Sequence, residues 1–253
     1  MACGDHGPGR LVDWASAQAA IAAGLSHQDL SGQHLLISAG PSQEPLDPVR
    51  FISNRSTGKM GYALASAARQ RGATVTLVSG PTALSPPVGV ELIPVRTALA
   101  MRQAIITAQA QATVLIMTAA VSDFRPSQTA PLKIKKAGAT SVGLELLANP
   151  DILSELGEKK GNAPRPLLVG FAAESDHHLE EGQRKLVAKN LDLIVVNDIL
   201  GQDTGFASDT NQVTILGRDG HQLALPLLSK EETAHRLLDH IVALLTGSSD
   251  HES

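Results

Sequence analysis

From residue 34 onward, short β-rich runs alternate with helical patterns, and this alternation limits the folds open to the chain more than any other feature. His34 to Ser38 reads as a strand, Gly58 to Arg71 as a helix, Thr74 to Val78 as a strand and Ala98 to Gln109 as a helix. Strands separated by helices of this length form right-handed βαβ units. The next run, Val114-Leu115-Ile116-Met117, is apolar at every position, which marks a strand covered on both faces of a parallel sheet. Further strands are predicted at Leu167 to Gly170 and at Leu193 to Val196. Helices are predicted from the Asn149-Pro150-Asp151 start to about Lys160, over 176–190 and over 229–246. Asn149 or Asp151 supplies the cap of the first, with Pro150 in an early position. The expected fold is α/β: a Rossmann-like, mostly parallel sheet with helices on both faces.

Two stretches break the pattern. Residues 38 to 61 follow the first strand and lead into a helix opened by Gly58, yet are polar and punctuated by Gly and Pro. A strand that ends in such a loop before a helix start presents free backbone N–H groups and a positive helix end, which suits an anionic ligand. Arg50, Arg55 and Lys59 crowd the same stretch. Residues 125 to 141 are rich in loop formers and hold Arg125, Lys133, Lys135 and Lys136, a composition that predicts a mobile, Lys-rich lid. Residues before the first strand read as a linker with a short Ala-rich helix pattern from Trp14 to Ala23, and 247–253 as a tail.

Composition narrows the function classes. A net charge of −4 with one Trp, one Tyr and four Phe offers neither a basic field nor stacking platforms, so no nucleic-acid partner is expected. A single Cys excludes a disulfide framework within the chain. No signal-like or membrane-spanning apolar run occurs, so no membrane role and a cytoplasmic location are expected. The nine His show no pair at helix-borne ligand spacing beside a matching Cys or acidic cluster.

Neither common phosphate loop fits. A nicotinamide-binding loop places its glycines directly after the first strand, with an acid after the second. Here only Gly40 follows that strand, Gly58 and Gly61 arrive much later, and the second strand ends in Ser79-Gly80-Pro81. A Walker loop fails because Gly58-Lys59 is followed by Met60 and Ser53 stands five before Gly58. Taken alone, Gly58 and Gly61 also suit simple close packing of helix on sheet.

They do not stand alone. The runs Ala39 to Ser42, Asp47 to Asn54, Ser56 to Gly61, Ala119 to Phe124, Lys133 to Lys136, Asn149 to Ile152, Gly170 to Glu174 and Lys189 to Ile194 occur in order. Together they resemble phosphopantothenoylcysteine synthetase, the ligase half of bacterial bifunctional coenzyme A biosynthesis proteins, over roughly residues 32–246. The resemblance implies a reaction in which CTP activates the carboxylate of 4′-phosphopantothenate as an acyl-cytidylate, after which the amine of L-cysteine forms the amide. It also implies a homodimer and leaves open a larger assembly with a decarboxylase domain. Residues 1–31 carry a shorter likeness: Ala2-Cys3-Gly4-Asp5 with Gly7, Gly9 and Arg10 is similar to the last stretch of that decarboxylase, although Leu11 replaces the usual Met. The flavin-binding body of that domain is missing, so no FMN is expected.

By the same resemblance, Lys133 serves cytidylate formation, where lysines and Mg2+ neutralise the meeting of a carboxylate with a triphosphate. The alternative for Lys133 is an ordinary solvated charge run. Asn54 is the second catalytic candidate, since an amide both donates and accepts, and with Arg50, Gly58, Lys59 and Gly61 it is expected to hold phosphopantothenate. Arg50 could pair with a phosphate or with Asp47. The nucleotide is expected across the carboxyl ends of the strands, against Met117, Thr118, Ala119 and Asp123, then Pro150, Asp151, Ile152 and Leu153, with Phe171, Lys185 and Lys189. Asp123 suits a water-mediated metal contact or a ribose contact, which leaves the metal ligands open. Phe171 could instead be core, and Lys185 and Lys189 a solvated helix face. The competing readings are an NAD(P)-dependent Rossmann reductase and a non-catalytic nucleotide-binding regulator. For the reductase, Tyr62 lacks a Lys four residues later.

Overall fold

β1 (His34–Ala39) is the central strand, and its side chains divide between two cores. Leu35 and Ile37 enter the core on one face of the sheet, Leu36 the core on the other, and all three are fully buried. Each such leucine or isoleucine contributes about 1.5–3 kcal/mol on burial. The computed structural model describes residues 12–136, 138, 140–174, 178–198 and 208–247. The flap-like residues around Cys3 and the tail beyond Gly247 lie outside the described residues.

The sheet has eight strands. β5 (Glu91–Pro94), β4 (Thr74–Ser79), β1, β6 (Val114–Met117), β9 (Leu167–Glu174) and β10 (Leu193–Asp198) run parallel in that spatial order. β12 (Val213–Gly217) and β13 (Gln222–Ala224) extend the β10 edge in antiparallel pairing. α2 (Lys59–Gln70) and α6 (Lys230–Thr246) cover one face, with Leu64, Leu237 and Leu238 in its core. α3 (Ala98–Ala108), α4 (Ile152–Lys160) and α5 (His178–Ala188) cover the other, where Met101, Ile105, Leu156 and Leu186 pack. The expected α/β class, with a mostly parallel sheet between two helical layers, is the fold observed.

The helix starts follow the residue chemistry. The side chains of Thr97, Asp151 and Ser229 each accept a hydrogen bond from a first-turn N–H of α3, α4 and α6, which satisfies donors that a helix end leaves open. Arg71 ends α2 between Asp29 and Asp239, donating to both carboxylates and so joining α2 to α6 and to the segment before β1.

The N-terminal helix pattern is present, while several other features depart from the sequence reading. The linker's helix pattern is α1 (Trp14–Leu25), which lies against α2 with no residue of its own buried. β9 continues past Gly170 to Glu174, because its pairing with β10 runs on to Asp198. Phe171 therefore lies within a strand, just beyond the point where the shorter β6 stops opposite Gly170. The loop after β1 folds into a small antiparallel pair, β2 (Gln43–Pro45) with β3 (Phe51–Ser53). The Lys-rich segment is bracketed by a second pair, β7 (Phe124–Pro126) with β8 (Leu146–Ala148). A two-residue pair, β11 (Thr210–Asn211) with β14 (Leu228–Ser229), precedes α6. No helix among the described residues is long and apolar enough to cross a membrane.

Candidate functional site

The strand order reverses at β1, which has β4 on one side and β6 on the other, and open α/β sheets leave a ligand crevice beyond the carboxyl ends of strands at such a point. A cavity of about 320 Å³ lies there, within the ~300–1,000 Å³ usual for small-molecule sites. Its floor is tied by three hydrogen bonds. Thr118 Oγ1 donates to the Ser38 carbonyl at 2.6 Å, Ala119 N–H to Ser38 Oγ at 3.1 Å, and Asn54 Nδ2 to the Ala120 carbonyl at 2.9 Å. The loops after β1, β3 and β6 thus meet as one surface.

α2 points its open end at this surface. Gly58 is its N-cap with φ 79° and no side-chain cap, and the positive end of the helix there suits an anionic ligand. A Cβ on Gly58 would stand 2.7 Å from Thr82 Cγ2, and one on Gly61 would stand 2.6 Å from both Ala39 Cβ and Thr118 Oγ1. Gly61 accordingly serves close packing of helix on strand, while Gly58 combines a left-handed conformation with a position at the cleft.

Asn54, Gly58, Lys59 and Gly61 line the cavity, as do Thr118, Ala119, Asp123, Phe171 and Lys185. Among the described residues, Lys59, Lys185 and Lys230 line the cavity with one carboxylate, Asp123, which makes the cleft suited to an anion. Phe171 is half-buried and supplies an aromatic wall.

Other candidates lie elsewhere. Met117 is buried in the core beneath the cleft. Pro150, Asp151, Ile152 and Leu153 form the turn into α4, where Ile152 and Leu153 pack into the core and Asn149 N–H donates to the Asp123 carbonyl at 2.7 Å. Lys189 sits just past α5 and pairs with Asp151 at 2.7 Å, so it does not share a cleft-facing position with Lys185. Burial pushes the Asp151 carboxyl up, but Lys189 and the Ser154 N–H together bring it below its ordinary value.

Arg50 takes the Asp47 option that the sequence left open. Its Nε and Nη2 donate to Asp47 Oδ2 at 3.0 and 2.5 Å, and Nη2 also donates to the Ile134 carbonyl at 2.6 Å. Asp47 in turn accepts the Ile134 N–H at 3.0 Å. The exposed Lys133 is therefore outside the cavity but adjoins a residue whose N–H and carbonyl are both anchored. The Arg50 guanidinium holds the Asp47 carboxyl well below the usual range, against the effect of burial. A depressed carboxyl contributes fully above its unfolded pKa, about 3.9, and the contribution is lost only as pH falls through the folded value. The anchor is thus intact at neutral pH. Asp47→Asn is expected to release the segment, speeding tryptic cleavage after Lys133, Lys135 and Lys136 about tenfold, since such local opening sets susceptibility.

Asn197, Asn211 and Lys230 also line the cavity and were not anticipated. Asn197 Oδ1 is a buried acceptor with no partner among the described residues, which marks a place for a ligand donor. Its position at the carboxyl end of β10 was the available signal; Lys230 had none, since Ser229-Lys230-Glu231-Glu232 reads as an ordinary helix start.

The chain spans about 60% of the length of the curated relatives it matches. The Coenzyme A biosynthesis bifunctional protein CoaBC of Bacillus subtilis (strain 168) is 46% identical over 248 residues, covering 96% of this chain and 60% of that protein. CoaBC of Escherichia coli (strain K12) is 44% identical over 245 residues, with the same shares covered. A crystal structure of the C-terminal domain of CoaBC aligns with a TM-score of 0.74 and 41% identity, over 87% of this chain and 99% of that domain. The family described as DNA/pantothenate metabolism flavoprotein C-terminal domain matches residues 30–245. That span takes in every strand of the main sheet and every wall of the cleft, and the chain belongs to this family.

Proposed function

We propose that this chain joins 4′-phosphopantothenate to L-cysteine at the expense of CTP. The observation that carries the reading is the cleft itself: a helix start with no side-chain cap and, among the described residues, three lysines lining it with one carboxylate, beside an aromatic wall at the strand ends. The similarity to CoaBC proteins supports the pathway. In the first step a carboxylate oxygen of phosphopantothenate attacks the α-phosphorus of CTP and pyrophosphate leaves. In the second, the cysteine amine attacks the acyl carbon, CMP leaves, and the amine loses a proton.

Asn54, the Gly58 helix start, Lys59 and Gly61 hold the phosphopantothenate side, with Arg50 acting through the Asp47 turn. Thr118, Ala119, Asp123, Phe171 and Lys185 face the nucleotide, with Met117, the 150–153 turn and Lys189 behind them. Lys133 supplies positive charge as its segment closes over the phosphates. Mg2+ takes one or two carboxylates together with substrate phosphates. Although no trio of metal-ligating side chains occurs among the described residues, Asp123 at the cleft fits that donor set. When bound, the ion would neutralise phosphate charge. The working form is a homodimer in the cytoplasm, joined to a decarboxylase in a larger assembly.

Incubation with CTP, magnesium, phosphopantothenate and cysteine is expected to release one pyrophosphate per amide formed, and omission of cysteine to leave the acyl-cytidylate. Absence of pyrophosphate release would overturn the reading, and NADPH binding without triphosphate binding would favour the reductase. Replacing CTP by ATP tests the nucleotide preference, and light scattering tests the dimer against the 26.4 kDa chain mass.

A further inference from the structure

Lys230 opens α6 inside a capping box formed by Ser229 and Glu232, a setting that ordinarily leaves a lysine in water. Here it is 7% exposed. Its ammonium donates to the carbonyls of Ser208 and Thr210 at 2.6 and 3.1 Å and to Asn211 Oδ1 at 2.7 Å. Its backbone N–H donates to the Asp209 carbonyl at 3.0 Å. One residue thus straps 208–211 to α6, and Asn211 carries the strap on to Met60 Sδ at 3.4 Å.

A neutral donor would make such a strap without the desolvation that a buried ammonium suffers. The charge has a second consequence, because Lys59 stands close by, paired with Asp209 at 2.6 Å. Lys59 and Lys230 line both the cleft and an adjoining cavity of about 430 Å³, so they form the wall between the two. Burial and then Lys59 push Lys230 down to about 8, against the pull of Asp209. An anion in the cleft relieves that repulsion.

We propose that Lys230 is a positioning residue for the phosphate of the acid substrate. Its ammonium fixes the 208–211 wall and adds to Lys59 the positive field that faces a phosphate at the Gly58 end of α2. This rests on the phosphopantothenate reading above. Among the described residues, the groups that face the same two cavities are Lys59 and Tyr62 from α2, Asp209 from the strap, Glu231 from α6, and Asp123 and Lys185 across the cleft. Asp209 remains ionised around pH 8 because Lys59 lowers its pKa.

The test compares phosphopantothenate with pantothenate, which lacks the phosphate, in direct binding and in steady-state kinetics at about pH 7 and about pH 9. In the wild type, binding of phosphopantothenate is expected to weaken at the higher pH while that of pantothenate does not. Lys230→Met is expected to raise the KM for phosphopantothenate about ten- to a hundredfold, the scale of one hydrogen-bonded charge, with the larger part of the loss in KM. It should also flatten the alkaline change, and Lys230→Arg should restore most of the affinity. Equal weakening of both compounds in Lys230→Met, or a fall in melting temperature alone with the wild-type pH response kept, would overturn the proposal. The wild-type arm needs no variant, and a flat wild-type response would overturn it equally. A wild type that binds neither compound overturns the substrate reading itself, and this inference with it.

Discussion

Lys133→Gln is expected to slow cytidylate formation by roughly a hundred- to a thousandfold, the cost of removing one donor aimed at charge that develops in the transition state. Glutamine retains much of the length and can still donate, so the loss isolates the charge. Lys133 is exposed and outside the cavity, which means that its contribution depends on where its segment is held. The Asp47–Arg50 turn supplies that hold through both backbone groups of Ile134. The deficit should fall on kcat with little change in CTP affinity, because the interaction is made mainly in the transition state. Single-turnover pyrophosphate release, measured without cysteine, separates this step from amide formation. A Lys133→Gln rate within about threefold of the wild type would remove Lys133 from the chemistry.

The parallel sheet was legible because its central strands are apolar at nearly every position, which only a strand buried on both faces tolerates. The start of α4 was legible because Asp151 is a good N-cap placed directly before an apolar periodic stretch. The β12–β13 edge was missed, although Asp219-Gly220 is a hairpin signal and Gly220 has φ 88°. Its strands are short and mixed in polarity, so the alternation that marks a half-buried strand barely develops over five and three residues.

At the cleft, residues next to strand ends were readable and those set by distant contacts were not. Asn54 and Thr118 were named through the family resemblance, and each lies in a loop at the carboxyl end of the sheet. Arg50's choice of Asp47 depends on a turn that brings together residues three apart and on a carbonyl 84 residues away. Lys230 reads as a surface lysine until the 208–211 segment folds over it. The parting of Lys189 from Lys185 likewise depends on α5 ending at Ala188, which frees Lys189 to turn toward Asp151.

Asp192→Ala is expected to cost about 3 kcal/mol of stability, toward the lower end of the ~3–5 kcal/mol that follows when one partner of a buried ion pair is removed. Lys160 ends α4 with a side chain only 3% exposed, and it pairs with Asp192, which is 18% exposed. Water reaching the carboxylate moderates the loss. Asp192 Oδ2 also accepts the Leu168 N–H at 2.6 Å, and the Asp192 N–H donates to the Leu168 carbonyl at 2.9 Å. Truncation therefore strands the Lys160 ammonium against α4 and leaves the entry of β9 short of an acceptor. For a chain of this size the melting temperature should fall by about 10 °C. Joining Lys160→Met to Asp192→Leu should recover most of that loss, because it removes both charges rather than orphaning one. Recovery of stability without recovery of activity would show that α4 must be held at this angle: its other end, through Asn149 and the Asp123 carbonyl, is one hydrogen bond from the cleft. A single variant that melts within about 2 °C of the wild type would show instead that Lys160 finds solvent or another acceptor, and that this pair does not hold α4 to the sheet.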